Sequence, residues 1–190
     1  CANGYAAYKL GDPTAKMSGR LTLNPIRHID PIGFILLVIA GFGWAKPVPV
    51  DSRYFKKPKR DMAITALAGP FSNFLLSFLL LIILIALDNF APKNTVIIII
   101  LNLLIKTVVL STGLGVFNLL PVSPLDGSKI LFSFLPDRAY YTVLRYERYG
   151  FIILIVLLYF GWINRPLTIV RGFILDALFR AAEFPFSIFQ

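Results

Sequence analysis

The sequence predicts an all-α, multi-spanning membrane protein, a helical bundle with a short re-entrant or extended segment near residues 32–50. Three observations carry this. Hydrophobic residues make up 57% of the 190 residues and charged residues only 15%, with a mean hydropathy of +0.73, more apolar than a water-soluble domain of this size can bury. Met62 to Leu87 and Tyr149 to Asn164 contain no charge, as spanning helices require. Finally, the basic residues gather in the connectors between apolar blocks, where they set topology.

Taken in order, the first residues read as the end of a helix, followed by a loop with Lys16, Arg20 and Arg27. Ile32 to Ala45 is apolar but short, and Gly41 and Gly43 lie near its end, so an excursion that enters and returns fits better than a crossing. "GWAKPVPV" contains Pro47 and Pro49, which rules out a continuous helix and predicts an extended edge. The loop "VDSRYFKKPKRD" is strongly basic and so cytoplasmic. Met62 to Leu87 and Thr95 to Leu120 then form a membrane hairpin, joined by a connector whose only basic residue is Lys93. Lys106 falls inside the second arm, where a free ammonium must snorkel, pair or meet a polar space. Tyr149 to Asn164 predicts a third span. Leu167, Val170, Phe173, Ile174, Ala177, Leu178 and Ala181 share one helix face, which predicts an amphipathic helix, lying in the interface or returning as a tilted span, with Asp176 and Arg180 paired at i, i+4.

The net charge of +9 does not indicate nucleic acid, because the Lys and Arg residues form no basic domain with interleaved aromatics. Contact with the lipid bilayer accounts for them. A single Cys excludes an internal disulfide. The chain reads as one membrane-embedded domain, 1–190, with a core over 1–135 and a C-terminal span and amphipathic helix over 136–190.

Polar groups inside such a chain are informative, since hydrocarbon penalises them unless they are paired or used. They cluster around Asn3, at His28 and Asp30 in "LNPIRHIDPIG", at Asn73 in "AGPFSN", and at Asn118 and Asp126 in "FNLLPVSPLDGSKIL". Three of them have a structural explanation: Asp126 as cap of a helix beginning at Ser128, His28 bonded to loop backbone, and Asn73 packing helices near Gly69 and Pro70.

Together, "GYAAYKLGDPTAKMSGRLTLNPIRHIDPIG", "GWAKPVPV", "LAGPFSN" and "NLLPVSPLDGSKIL" resemble the site-2 protease family of intramembrane zinc metalloproteases, in its compact bacterial form without a PDZ insert. The resemblance runs to about Leu135. It implies cleavage of membrane-embedded or membrane-tethered proteins by zinc chemistry, in the inner membrane, with the active site toward the cytoplasm. By the same resemblance Asp126 is the third metal ligand and Asn118 supports the substrate or the oxyanion. Trp44, Lys46, Pro47, Val48, Pro49 and Val50 are the expected substrate-binding segment, since such a strand can hold an unwound substrate by edge pairing, with His28, Asp30, Gly69, Pro70 and Asn73 expected in support.

The family's His-Glu-x-x-His motif places two zinc ligands one turn apart on a helix, with a general base between them. Aligned on this chain, its second His falls on Asn3 and its first two residues fall immediately before Cys1. The expectation is therefore a chain truncated within the motif, with weak or no zinc binding and no hydrolysis as it stands. The alternative is a pseudoprotease, or another non-enzymatic membrane protein, that binds client helices.

Overall fold

A computed structural model of the chain describes residues 1–40, 43 and 45–187. The regular structure among these residues is helical, with no named strand. The chain divides into two compact units, Cys1–Ala68 and Gly69–Gln190.

The first unit opens with α1 (Ala2–Lys9) and α2 (Thr14–Met17). Ala7 and Ala15 are fully buried, because small side chains allow these short helices to approach closely. Gly11, at φ +109°, ends α1 in a conformation that glycine adopts without steric cost. A short 3-10 turn at Pro25–His28 leads into α3 (Pro31–Ala40). Ten residues span only about 15 Å, roughly half of a hydrocarbon core. Ile29 and Ala45 form an antiparallel bridge on either side of this excursion, so the chain leaves and returns at one place, as the apolar pattern implied. A second 3-10 turn, Ser52–Tyr54, precedes α4.

α4 (Pro58–Phe90) begins in the first unit and contains the unit boundary. In its first turn the buried Asp61 accepts from the Lys57 N–H at 3.0 Å and pairs with Arg60 at 2.8 Å. A carboxylate at this position complements the positive end of the helix dipole. Beyond it, α4 and α5 (Thr95–Asn118) are both long and apolar enough to cross a membrane.

In the second unit α4 and α5 meet along a seam of small and hydroxylated residues. Ser77 donates to the Val108 carbonyl at 3.3 Å, Thr112 to Ser77 Oγ at 2.9 Å and Ser111 to the Asn73 carbonyl at 3.0 Å. Gly115 lies against the Phe74 ring. In lipid, helices associate through this kind of close packing and hydrogen bonding. Leu81, Ile85 and Val108 continue the core and reach Ala182 of α8 (Asn164–Ser187).

α6 (Asp126–Ser133) and α7 (Asp137–Tyr159) complete the unit. The span expected at Tyr149–Asn164 takes a different form. α7 starts twelve residues earlier with a charged half, and it stops at Tyr159. Gly161, at φ +70°, turns the chain, so that Tyr149–Tyr159 and Asn164–Phe186 meet at 88°. The helix over Leu167–Ala181 is present, and its Asp176–Arg180 pair closes at 3.1 Å.

Candidate active site

α1 carries Asn3, whose side-chain oxygen is inaccessible to solvent. Its neighbour Gly4 is tightly packed against three other segments of this unit. A Cβ there would lie 2.9 Å from Val48 Cγ1, 3.1 Å from Ala15 Cβ and 3.1 Å from Leu21 Cδ2. The extended segment therefore runs directly over α1, one residue from Asn3.

Backbone chemistry sets the path of that segment. The Lys46 N–H donates to the His28 carbonyl at 2.9 Å beside the Ile29–Ala45 bridge. Pro47 and Pro49 have no N–H to donate. Among the described residues no group accepts from the N–H of Val48 or Val50, which leaves an edge able to pair with another extended chain. Trp44 lies outside the described residues.

Where this edge ends, a carboxylate that the motif analysis overlooked holds it. Asp12 is fully buried and accepts from the Asp51 N–H at 2.8 Å, from the Thr14 N–H at 2.9 Å and from the Thr14 hydroxyl. Asp followed by Pro and Thr is a turn signal, and it was the available clue. Next to it, Arg53 hydrogen-bonds the Asp51 carboxylate and holds its pKa below the ordinary carboxylate value.

His28 and Asp30 shape the same region. The Nε2 of His28 lies 2.9 Å from the Thr22 carbonyl and 3.5 Å from Cys1 Sγ. Asp30 Oδ1 accepts from the Gly33 N–H at 2.9 Å at the start of α3. An open groove of about 520 Å³ lies between these elements, lined by Cys1, Leu23, His28, Asp30, Phe34 and Ala45 among others.

The second unit holds Asn118, Asp126, Gly69, Pro70 and Asn73. Asn118 is the last residue of α5 and half-buried. Asp126 is the first residue of α6, with Leu125 as its cap. The helix thus begins two residues before Ser128, and Asp126 is not the cap that the turn pattern suggested. A Cβ on Gly127 would lie 2.1 Å from the Leu119 carbonyl oxygen. Only glycine allows the first turn of α6 to press against the backbone of Leu119 and Leu120 that follows α5. Pro70 is buried within α4, Gly69 O accepts from the Ser72 hydroxyl at 2.7 Å, and Asn73 contributes its backbone carbonyl to the seam with α5.

Comparison with known proteins decides the lineage. The chain is 44% identical to YwhC of Bacillus subtilis (strain 168), which bears the name of a zinc metalloprotease, over 82% of this chain and 72% of that protein. The profile of peptidase family M50 matches residues 89–161. The chain belongs to peptidase family M50, the site-2 proteases. This site-2 protease chain is also 31% identical to Rip2 of Mycolicibacterium smegmatis (strain ATCC 700084 / mc(2)155), likewise named as a zinc metalloprotease, over 86% of this chain and 62% of the relative, so it spans less than two thirds of that protein. No solved structure matches it.

M50 membership implies zinc, and the donors of this site-2 protease chain can be tested against that metal. Among the described residues no three His, Cys, Asp or Glu side chains are grouped to hold an ion. The one His, His28, is engaged with loop backbone, and an amide oxygen at position 3 is a weak zinc donor beside imidazole. Asp126 alone has the donor chemistry expected of it. The residues described do not by themselves fit a zinc centre.

Proposed function

We propose that this chain is the substrate-handling core of an intramembrane metalloprotease of the cell inner membrane. Its substrates are membrane-spanning proteins, and its active side faces the cytoplasm. The reaction class, peptide-bond hydrolysis, comes from the family. Asp126 as a metal ligand and Asn118 as oxyanion or substrate support rest on the alignment of their motif.

One observation supports the reading most directly: the Ala45–Val50 edge packs on α1 beside Asn3 and keeps the N–H groups of Val48 and Val50 unengaged among the described residues. A substrate helix hides its carbonyls in its own hydrogen bonds, so it must unwind before it is cut. An unwound segment can then pair with this edge by strand addition. In the active protein, Val48→Pro and Val50→Pro remove those donors and are expected to lower cleavage of a membrane-anchored peptide roughly ten-fold, about the worth of one hydrogen bond. Unchanged cleavage rejects the edge.

Asn3 favours a second reading, in which the chain binds client helices without hydrolysing them. The two readings separate in a protein with a His-Glu pair fused ahead of Cys1. If Asn3→His leaves that protein without peptidase activity while client binding persists, the non-enzymatic reading stands.

A further inference from the structure

Lys106 is used by none of the chemistry above, and it occupies the least favourable place for a cation in the second unit. It lies at the middle of α5, roughly 17 Å from either end at 1.5 Å per residue. Two faces of this helix meet neighbouring helices. Ser111, Thr112 and Gly115 meet α4. Gly113 meets Arg171 of α8, and Ile105 and Val109 border a cavity with Gly172 and Leu175. The third face presents Ile99, Leu103, Lys106 and Leu110 at helical spacing, and all four are exposed. Asn102, also exposed, stands one turn before Lys106 and donates to its own helix at the Ile98 carbonyl, 2.9 Å away.

Among the described residues Lys106 takes part in no ion pair. The acids on the helices packed against α5 are placed elsewhere. Asp88 of α4 is taken by Lys93 and Asp176 of α8 by Arg180, while Glu183 borders a cavity with Asp88 and Asn89. A lysine stem is too short to carry its ammonium from mid-depth to either headgroup layer of an upright span, so a lipid phosphate cannot serve as the counter-ion. A carboxylate at mid-depth can arrive only on another spanning segment, where such residues mark functional contacts.

We propose that the Ile99–Leu103–Lys106–Leu110 face of α5 docks a partner transmembrane helix that carries an acidic residue at mid-bilayer. Apolar side chains flanking Lys106 supply packing, and the buried charge pair sets the partner's depth. This contact is independent of the hydrolytic reading, because it lies on a different helix face and needs no metal.

The test uses the full chain in phosphatidylcholine vesicles, which contain no anionic lipid, with fluorescent membrane-spanning poly-leucine peptides bearing one central Asp, Asn or Leu. Energy transfer to the labelled chain should show the Asp peptide associating roughly three- to ten-fold more strongly than the others. That preference should vanish in Lys106→Leu and persist in Lys106→Arg. Equal association of the three peptides, or a preference that survives Lys106→Leu, overturns the proposal. A preference that emerges only in Asp176→Asn also overturns it, by assigning Lys106 to its own neighbouring helix.

Discussion

The buried carboxylate of Asp12 receives the backbone N–H of Asp51 at 2.8 Å. This bond joins the turn after α1 to the end of the extended segment, so one side chain fixes the edge proposed to hold substrate relative to the helix that bears Asn3. Asp12→Ala removes a charged acceptor and leaves the N–H groups of Asp51 and Thr14 without it, at a cost of about 1.5–3 kcal/mol. Hydrogen exchange at the Asp51 amide should accelerate sharply, with a smaller change in Asp12→Asn. Unaltered exchange would show that the segment is held by other means.

Gly4 is the matching contact from the helix side. Gly4→Ala places a methyl group within 2.9–3.1 Å of Val48, Ala15 and Leu21, an overpacking that costs about 1–3 kcal/mol. Thermal unfolding in detergent should shift downward, and proteolysis near Ala45–Val50 should quicken. Gly172→Ala is the control, since a Cβ there meets nothing within 4 Å.

The seam between α4 and α5 makes a quantitative prediction. Thr112 donates to Ser77, which donates onward to the Val108 carbonyl. A double-mutant cycle over Ser77→Ala and Thr112→Val should return a coupling of about 0.6 kcal/mol, the average for such bonds between membrane helices. Strict additivity would mean that the two hydroxyls do not act together.

Asp51 gives a pH dependence. Arg53 favours the ionised carboxylate, so its folded-state pKa lies below the unfolded one. The stabilisation is therefore complete above the ordinary carboxylate pKa and is lost as pH falls through the lowered folded value. Followed by NMR, the Ser52–Tyr54 turn should loosen only at strongly acidic pH, and Arg53→Gln should move that transition upward. A midpoint indifferent to Arg53→Gln would refute the assignment.

What could be read from the sequence follows from how much each segment depends on distant partners. α4 and α5 were legible because Met62–Leu87 lacks charge and Thr95–Leu120 has only Lys106, and hydrocarbon leaves a helix as the only solution for such runs. The excursion at α3 was legible from its length and the prolines after it. The first half of α7 was hidden by Arg138, Arg145 and Glu147, since charge rules out burial in lipid but not helix formation. Asp12 was missed because a buried carboxylate and a turn-forming Asp look alike until the N–H groups they serve are seen. The Asp-Gly turn pattern at Asp126 suggested a helix cap, but α6 starts at Asp126 itself and its cap falls on Leu125.

The central claim of the proposed reading is that Asp126 is a zinc ligand, as the alignment of its motif with the family implies. The most direct measurement is the zinc content of purified protein bearing a His-Glu pair fused ahead of Cys1 and Asn3→His, with and without Asp126→Ala. The account expects about one zinc per chain in the first protein, and loss of most of it when Asp126→Ala is added or Asn3 is kept. No zinc in the first protein, or equal zinc in all three, would contradict it.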